Sequence, residues 1–193
     1  MKTSYLSILT AVLALLALLT LPAIRAGAQN LSVSTNAVGY INYGTLNAEA
    51  SVSVARQWTV TAGVKYNPFR FTAGEDAHEV NNRQRLFAAG ARFWPWHVYS
   101  GWWIAGKLQY QEYNQGGITS PLTQEGDRIG LGATVGYTYM LARHLNLEFG
   151  LGGWAGADFY TRYECPTCGL TLEEGRKAFI LPNDIIVAIS YIF

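Results

Sequence analysis

From Ile185 to its last residue the chain alternates. Ile185, Val187, Ile189, Tyr191 and Phe193 fall on one face, and Ile186, Ala188, Ser190 and Ile192 on the other. A period of two marks a strand with two unlike faces. The first face is wholly apolar and ends in two aromatics. An ordinary core strand reaching the C-terminus is the alternative, and the rest of the chain argues against it.

The same period recurs along most of the chain. A weak first strand is predicted over Thr35 to Ile41, with Val38 and Tyr40 on one face, and a tight turn follows at 42–45. In the second, Leu46, Ala48, Ala50, Val52 and Val54 oppose Asn47, Glu49, Ser51 and Ser53. In the third, Trp58, Val60, Ala62, Val64 and Tyr66 oppose Thr59, Thr61, Gly63, Lys65 and Asn67. The fourth sets Phe87, Ala89, Ala91 and Phe93 against Ala88, Gly90 and Arg92, and Pro95 ends it. The fifth sets Trp102, Ile104, Leu108 and Tyr110 against Lys107, Gln109 and Gln111. The sixth spans Ile129 to Leu141 with glycines on its inner row. The seventh starts at Leu145, carries Glu148 inward and extends toward Tyr160. The eighth enters near Phe179 and bends at Pro182.

The first 28 residues read as a leader. Lys2 is followed by an apolar run from Ile8 to Ile24, and Ala26-Gly27-Ala28 supplies a small-x-small cleavage pattern. The predicted domains are therefore a signal peptide at 1–28 and a barrel at 29–193. Removing Lys2 and Arg25 from 14 basic residues leaves 12 against 13 acidic. That near-neutral balance excludes nucleic acid as an expected partner. No later segment approaches the roughly 20 apolar residues of a spanning helix. If the chain spans a membrane it must close a barrel, since lipid offers no water to unpaired backbone groups.

The expected fold is an all-β, eight-stranded, antiparallel up-and-down transmembrane barrel. Short connections at 56–57, 95–101 and 142–144 oppose long ones at 68–82, 114–126 and 161–176, an asymmetry of outer-membrane barrels. The short 42–45 turn is the exception on the long side. Even strand number puts both termini in the periplasm. Aromatics sort by height. Trp58, Phe93, Trp94, Trp96, Trp102, Trp103, Tyr139, Tyr191 and Phe193 fall near the periplasmic ends, and Tyr66, Phe69, Phe71, Tyr110 and Tyr113 near the outer ends. Two such girdles suit a bilayer. Glu49, Lys65, Arg92, Lys107 and Glu148 face the lumen and are expected to form a structural charge network.

The final strand, closing on Phe193, resembles the signal read by the outer-membrane insertion machinery. Thr35-Asn36, Leu46 to Val54, Arg56-Gln57-Trp58 and the Tyr66-Asn67-Pro68-Phe69 corner form a recognisable block. With Arg92-Phe93-Trp94 and the late Cys-x-x-Cys, it resembles an uncharacterised outer-membrane β-barrel family of Bacteroidetes-type bacteria, domain of unknown function 3575. The resemblance covers most of the mature chain and implies an eight-stranded outer-membrane barrel. It supplies no catalytic residue. Some members lie near surface-fimbria or envelope genes, which hints at partners of that kind.

Cys165 and Cys168 are expected to close a small disulfide, the usual fate of close cysteines in an exported chain. A redox dithiol lacks its usual βαβ setting, and zinc lacks ligands beyond His78. His78 with Glu75, Asp76 and Glu79 reads as a solvated acidic loop; a cation or lipopolysaccharide contact is the sharper alternative. Ser120 with His78 and an acid would make a lipid-modifying enzyme, but no nucleophile motif surrounds Ser120. No catalytic residue, cofactor or metal is expected. The expected role is structural, adhesive or anchoring, through the outer loops. Expected partners are outer-membrane lipid and lipopolysaccharide, the insertion machinery, and a surface or periplasmic protein. A lipid-modifying enzyme and a small solute pore are the alternatives.

Overall fold

The computed structural model describes residues 31–72, 79–116, 122–164 and 171–193. The strands are β1 (Leu31–Asn36), β2 (Leu46–Ala55), β3 (Trp58–Asn67), β4 (Arg70–Thr72), β5 (Glu79–Phe93), β6 (Gly101–Gly116), β7 (Thr123–Ala142), β8 (Leu145–Tyr163) and β9 (Thr171–Ile192), with one short helix, α1 (Ala37–Ile41). Each long strand pairs antiparallel with its neighbour, β3 pairs β5, and β1 pairs β9. Eight strands thus close a barrel. The three-residue β4 is an addition to the upper edge of β5. We call the end bearing Leu31 and Phe193 the lower end.

The register fixes the tilt. From Ser34 the pairing runs through Glu49, Gly63, Ala88, Gln109, Gly130 and Gly156 to Phe179. Ser34 itself pairs Ser190, so one circuit climbs β9 by 190 − 179 = 11 residues, one of them a bulge. Such a stagger in eight strands tilts them by roughly 40°. Because β1 has 6 residues and β9 has 22, the wall rises from β1 round to β9 and then drops.

The first strand differs from its expected position. It ends at Asn36, and 37–41 form α1 in place of an extended Val38–Tyr40 face. Asn36 explains the switch. Its side chain caps α1 by accepting from Val38 N. The same amide also donates to Ile185 O at 2.8 Å and accepts from Val187 N at 3.0 Å, meeting backbone groups of β9 that a longer β1 would bond. The amide of Asn47 completes the corner, accepting from Asn36 N and donating to Asn36 O. A local cap plus a side-chain substitute for the ladder outcompetes weak β-propensity.

The long connections also differ. Strand pairing continues well into 68–82, 114–126 and 161–176, as far as Thr72, Gly116, Thr123, Tyr163 and Thr171. These segments are polar on both faces, so no contrast of period two marks them, yet their backbones remain paired. Pro182 marks another departure. It has no N–H to give the ladder, and the β8–β9 register shifts beside it. Above the shift Lys177 and Phe179 face inward; below it Asp184, Ile186, Ala188, Ser190 and Ile192 do. The bulge thereby turns Asp184 into the lumen.

Apolar side chains face outward from the barrel and charged ones inward. Leu131 is 70% and Leu151 64% exposed, whereas Arg92 is 3% and Glu148 2% exposed. The outward row Ile185, Val187, Ile189, Tyr191 and Phe193 is exposed along its length.

Candidate functional site

The five lumen charges read from sequence meet in one network. Arg92, from β5, donates to Glu148 on β8 at 2.7 Å and to Glu49 on β2. Lys107 on β6 lies 3.3 Å from Glu49 and 3.6 Å from Asp184. Lys65 on β3 lies 3.6 Å from the other oxygen of Asp184. Three cations and three carboxylates therefore balance. Asp184 continues the inward row of Ile186, Ala188, Ser190 and Ile192 by one step, just beyond the alternation read from Ile185. Thr134 donates to Asp184 at 2.8 Å, using its remaining acceptor capacity. Between these side chains remains a cavity of about 50 Å³. Gln109 beside it has an amide nitrogen with no protein acceptor among the described residues. A polar cavity of that size holds about one to three waters.

Below the network the lumen has a floor. Trp94 and Trp103, expected among the outward aromatics near the periplasmic ends, are both fully buried. They pack at 6.2 Å between ring centroids, with Tyr99 5.9 Å from Trp94. The connection 94–100 folds back into the lower mouth, with Tyr99 at φ 63. Each polar edge finds a partner: Trp94 donates to Thr59, Trp103 to Thr138 and Tyr99 to the Ser51 carbonyl. Burial with a satisfied hydrogen bond outweighs a place on the outside. Gly136 makes room for the plug, since a Cβ there would lie 2.3 Å from the Trp103 ring. Arg92 lies over that ring at 4.3 Å, joining floor to network. The aromatics that remain exposed at the lower end are Trp58, Trp96, Trp102, Tyr139, Tyr191 and Phe193.

A second cluster lies above. Tyr113, expected on the outer girdle, faces inward and donates to Asp158 at 2.7 Å. Arg128 is 3.2 Å and Lys177 3.6 Å from Asp158, and the Arg128 guanidinium stacks 3.7 Å from the Tyr113 ring. Burial, and then the bond to Asp158, push the Tyr113 phenol up to about 12. Trp154 and Phe179 pack edge to face beneath, with centroids 4.6 Å apart. The sequence pattern stops short of these residues, because aromatic inward positions break the apolar-out alternation.

At the upper mouth β3 and β5 to β9 line an open recess of about 760 Å³ that includes Asn67, Gln84, Tyr113 and Tyr160. Its rim carries lesser ion pairs, Arg162 with Glu173 at 3.0 Å and Arg85 with Glu112 at 3.8 Å. Tyr160 also donates to Glu173 and holds its carboxyl below the usual range. Cys165, Cys168, Glu75, Asp76, His78 and Ser120 lie outside the described residues, as does the leader at 1–28.

The six-membered network balances its charges above the aromatic floor, and the open recess lies at the upper rim. The chain belongs to the family described as Protein of unknown function (DUF3575), whose model matches residues 12–193. No curated protein and no solved structure is a match to it.

Proposed function

We propose that this DUF3575 barrel is a non-enzymatic protein of the bacterial outer membrane, with its termini in the periplasm, presenting its upper hairpins as an adhesive or anchoring surface. One observation carries the reading. The outward face between the Trp102 level and the Tyr110 level is a continuous apolar belt, while charges of both signs are buried inside. A lipid surround makes that distribution favourable. β7, β8 and β9 have 20, 19 and 22 residues, where a bilayer requires about 9–11. The surplus forms a wall of paired strands above the belt, a rigid support for recognition. Membrane lipid, lipopolysaccharide and the insertion machinery are the partners this placement entails, together with a surface or periplasmic protein.

The aromatic floor and the six-membered network support a lumen that conducts nothing, so planar bilayers should stay silent. Lipid profiles should be unchanged by Ser120→Ala and His78→Ala. The membrane reading is tested by gel migration and fractionation. Unheated protein from the membrane fraction should run as a compact band that converts on boiling; a single heat-insensitive band in the soluble fraction overturns it. The role is tested by photo-cross-linking from Gln115 and Tyr163 in intact cells. A reproducible protein adduct is expected, and adducts to lipopolysaccharide alone would replace anchoring with a lipid-facing role.

A further inference from the structure

We propose that the upper edge of β9 pairs antiparallel with the same edge of a second copy, head to head, so that the barrel links two facing membranes. This rests on the membrane-surface reading above and names its partner: the chain itself.

The edge comes from the steep step in the wall. β1 pairs β9 only from Ala188 to Ile192, and Asn36 serves Ile185 and Val187. Above that, among the described residues, β9 pairs with β8 alone. A paired strand with one free side offers backbone donors and acceptors to another strand.

What the edge displays is self-complementary. It reads Glu173-Glu174-Gly175-Arg176-Lys177. Antiparallel pairing of two copies about Gly175 sets Glu174 opposite Arg176 on one face and Glu173 opposite Lys177 on the other. Twofold symmetry repeats each pair, as an isologous interface requires. A slip of one residue would turn the faces against each other, and a slip of two would leave these charges unmatched. Opposite charges across an antiparallel pair stabilise it, and like charges there destabilise it. Glu173 and Lys177 already have partners within the barrel, Arg162 and Asp158. Glu174 has no ion-pair partner among the described residues, and Arg176 rests on the outward ring of Phe159 at 5.1 Å. The outer pair is therefore the one available to set the register.

Orientation follows from direction. β9 descends from the upper end at Thr171 to the lower end at Ile192. Two copies in one membrane descend in the same sense and cannot place these edges antiparallel. Copies in facing membranes can. Each contact is small, and adhesion comes from many contacts formed together.

The test uses the full mature chain in proteoliposomes, with clustering followed by light scattering. Wild-type vesicles should cluster. Glu174→Arg and Arg176→Glu vesicles should each cluster about tenfold more slowly, since both put like charges opposite each other. Mixing the two variant populations should restore clustering, because the arginine introduced in one copy then meets the glutamate introduced in the other. The double swap should cluster with itself. The mixed sample also shows that both variants are folded. The proposal is overturned if heat-modifiable, inserted wild-type protein fails to cluster, if the swaps leave clustering unchanged, or if mixing fails to restore it. Loss of the heat-modifiable band would instead refute the barrel-in-membrane reading itself.

Discussion

The lower lumen and the upper rim are built from the same chemistry, carboxylates facing Arg and Lys, yet they do different work. In the lower lumen Arg92, Lys107 and Lys65 meet Glu49, Glu148 and Asp184 above a floor of Trp94 and Trp103. At the rim Arg162 and Glu173 meet with 39% and 49% of their side chains exposed. Between them Asp158 is fully buried, while its partner Lys177 is half in solvent. What separates these levels is access to water. A buried charge depends on its partner because its hydration is gone. A charge at the rim can exchange its partner for water, or for another molecule. The lower network therefore fixes the barrel, and the rim remains free to engage.

The sharpest way to break this contrast is to remove Arg92. Arg92→Leu leaves Glu49 and Glu148 facing each other without their shared cation. We expect a loss of about 3–5 kcal/mol, read from the urea midpoint of unfolding in lipid vesicles. Replacing Arg92, Glu49 and Glu148 together by Leu should recover most of it. A loss below that of the rim variant described below would refute the ordering. Next in size is Gly136→Ala. The added Cβ has nowhere to go beside Trp103, and overpacking of this kind costs about 1–3 kcal/mol. Gly175→Ala at the upper end meets only the hydroxyl end of Tyr160, at 3.1 Å, and should be nearly silent in the same assay.

How much of this was legible in the sequence follows the same division. Strands show themselves where one face is apolar and the other polar. That condition holds through the belt, so seven of the eight strands, the strand order and the five lumen charges are readable there, while the first strand, read at Thr35 to Ile41, lies at Leu31–Asn36. It fails above the belt, where Gln115, Gln124 and Arg162 continue strands whose two faces are both polar. Those segments read as loops although they remain paired. It fails also where inward residues are large and aromatic. Trp94, Trp103 and Tyr113 look like girdle residues until the fold shows Thr59, Thr138 and Asp158 waiting for their polar atoms. Asp184 lay one step beyond the alternation read from Ile185, on the same face as Ile186. The helix α1 needed knowledge that Asn36 reaches β9, a long-range pairing that a local period does not encode.

Tyr113 sharpens the comparison from its middle level, above the Tyr110 aromatics. Its phenol is pushed up to about 12 by burial and by the bond to Asp158. A phenol raised in the folded state and near 10 in the unfolded state contributes stability that is complete below pH 10. That contribution is lost as pH climbs from about 10 to about 12. Ultraviolet titration of folded protein should show a late phenolate that disappears in Tyr113→Phe, and the variant should lose less stability than wild type across that window. A wild-type titration with no late phenolate would mean that the bond to Asp158 is open to water, and the middle level would then behave like the rim.

Among the charge removals, the smallest effect belongs to Arg162→Ala. Both members of its pair with Glu173 are exposed, and Tyr160 keeps its own bond to the same carboxylate at 2.7 Å. Water can take the place of the guanidinium, so the loss should be under about 1 kcal/mol and should shrink further as salt is raised. The urea midpoint at low and high ionic strength measures both. A loss comparable with that of Arg92→Leu, insensitive to salt, would mean that the upper wall is itself a closed core. The hairpins would then have no exchangeable charges to offer a partner, and the functional division between lumen and rim would collapse.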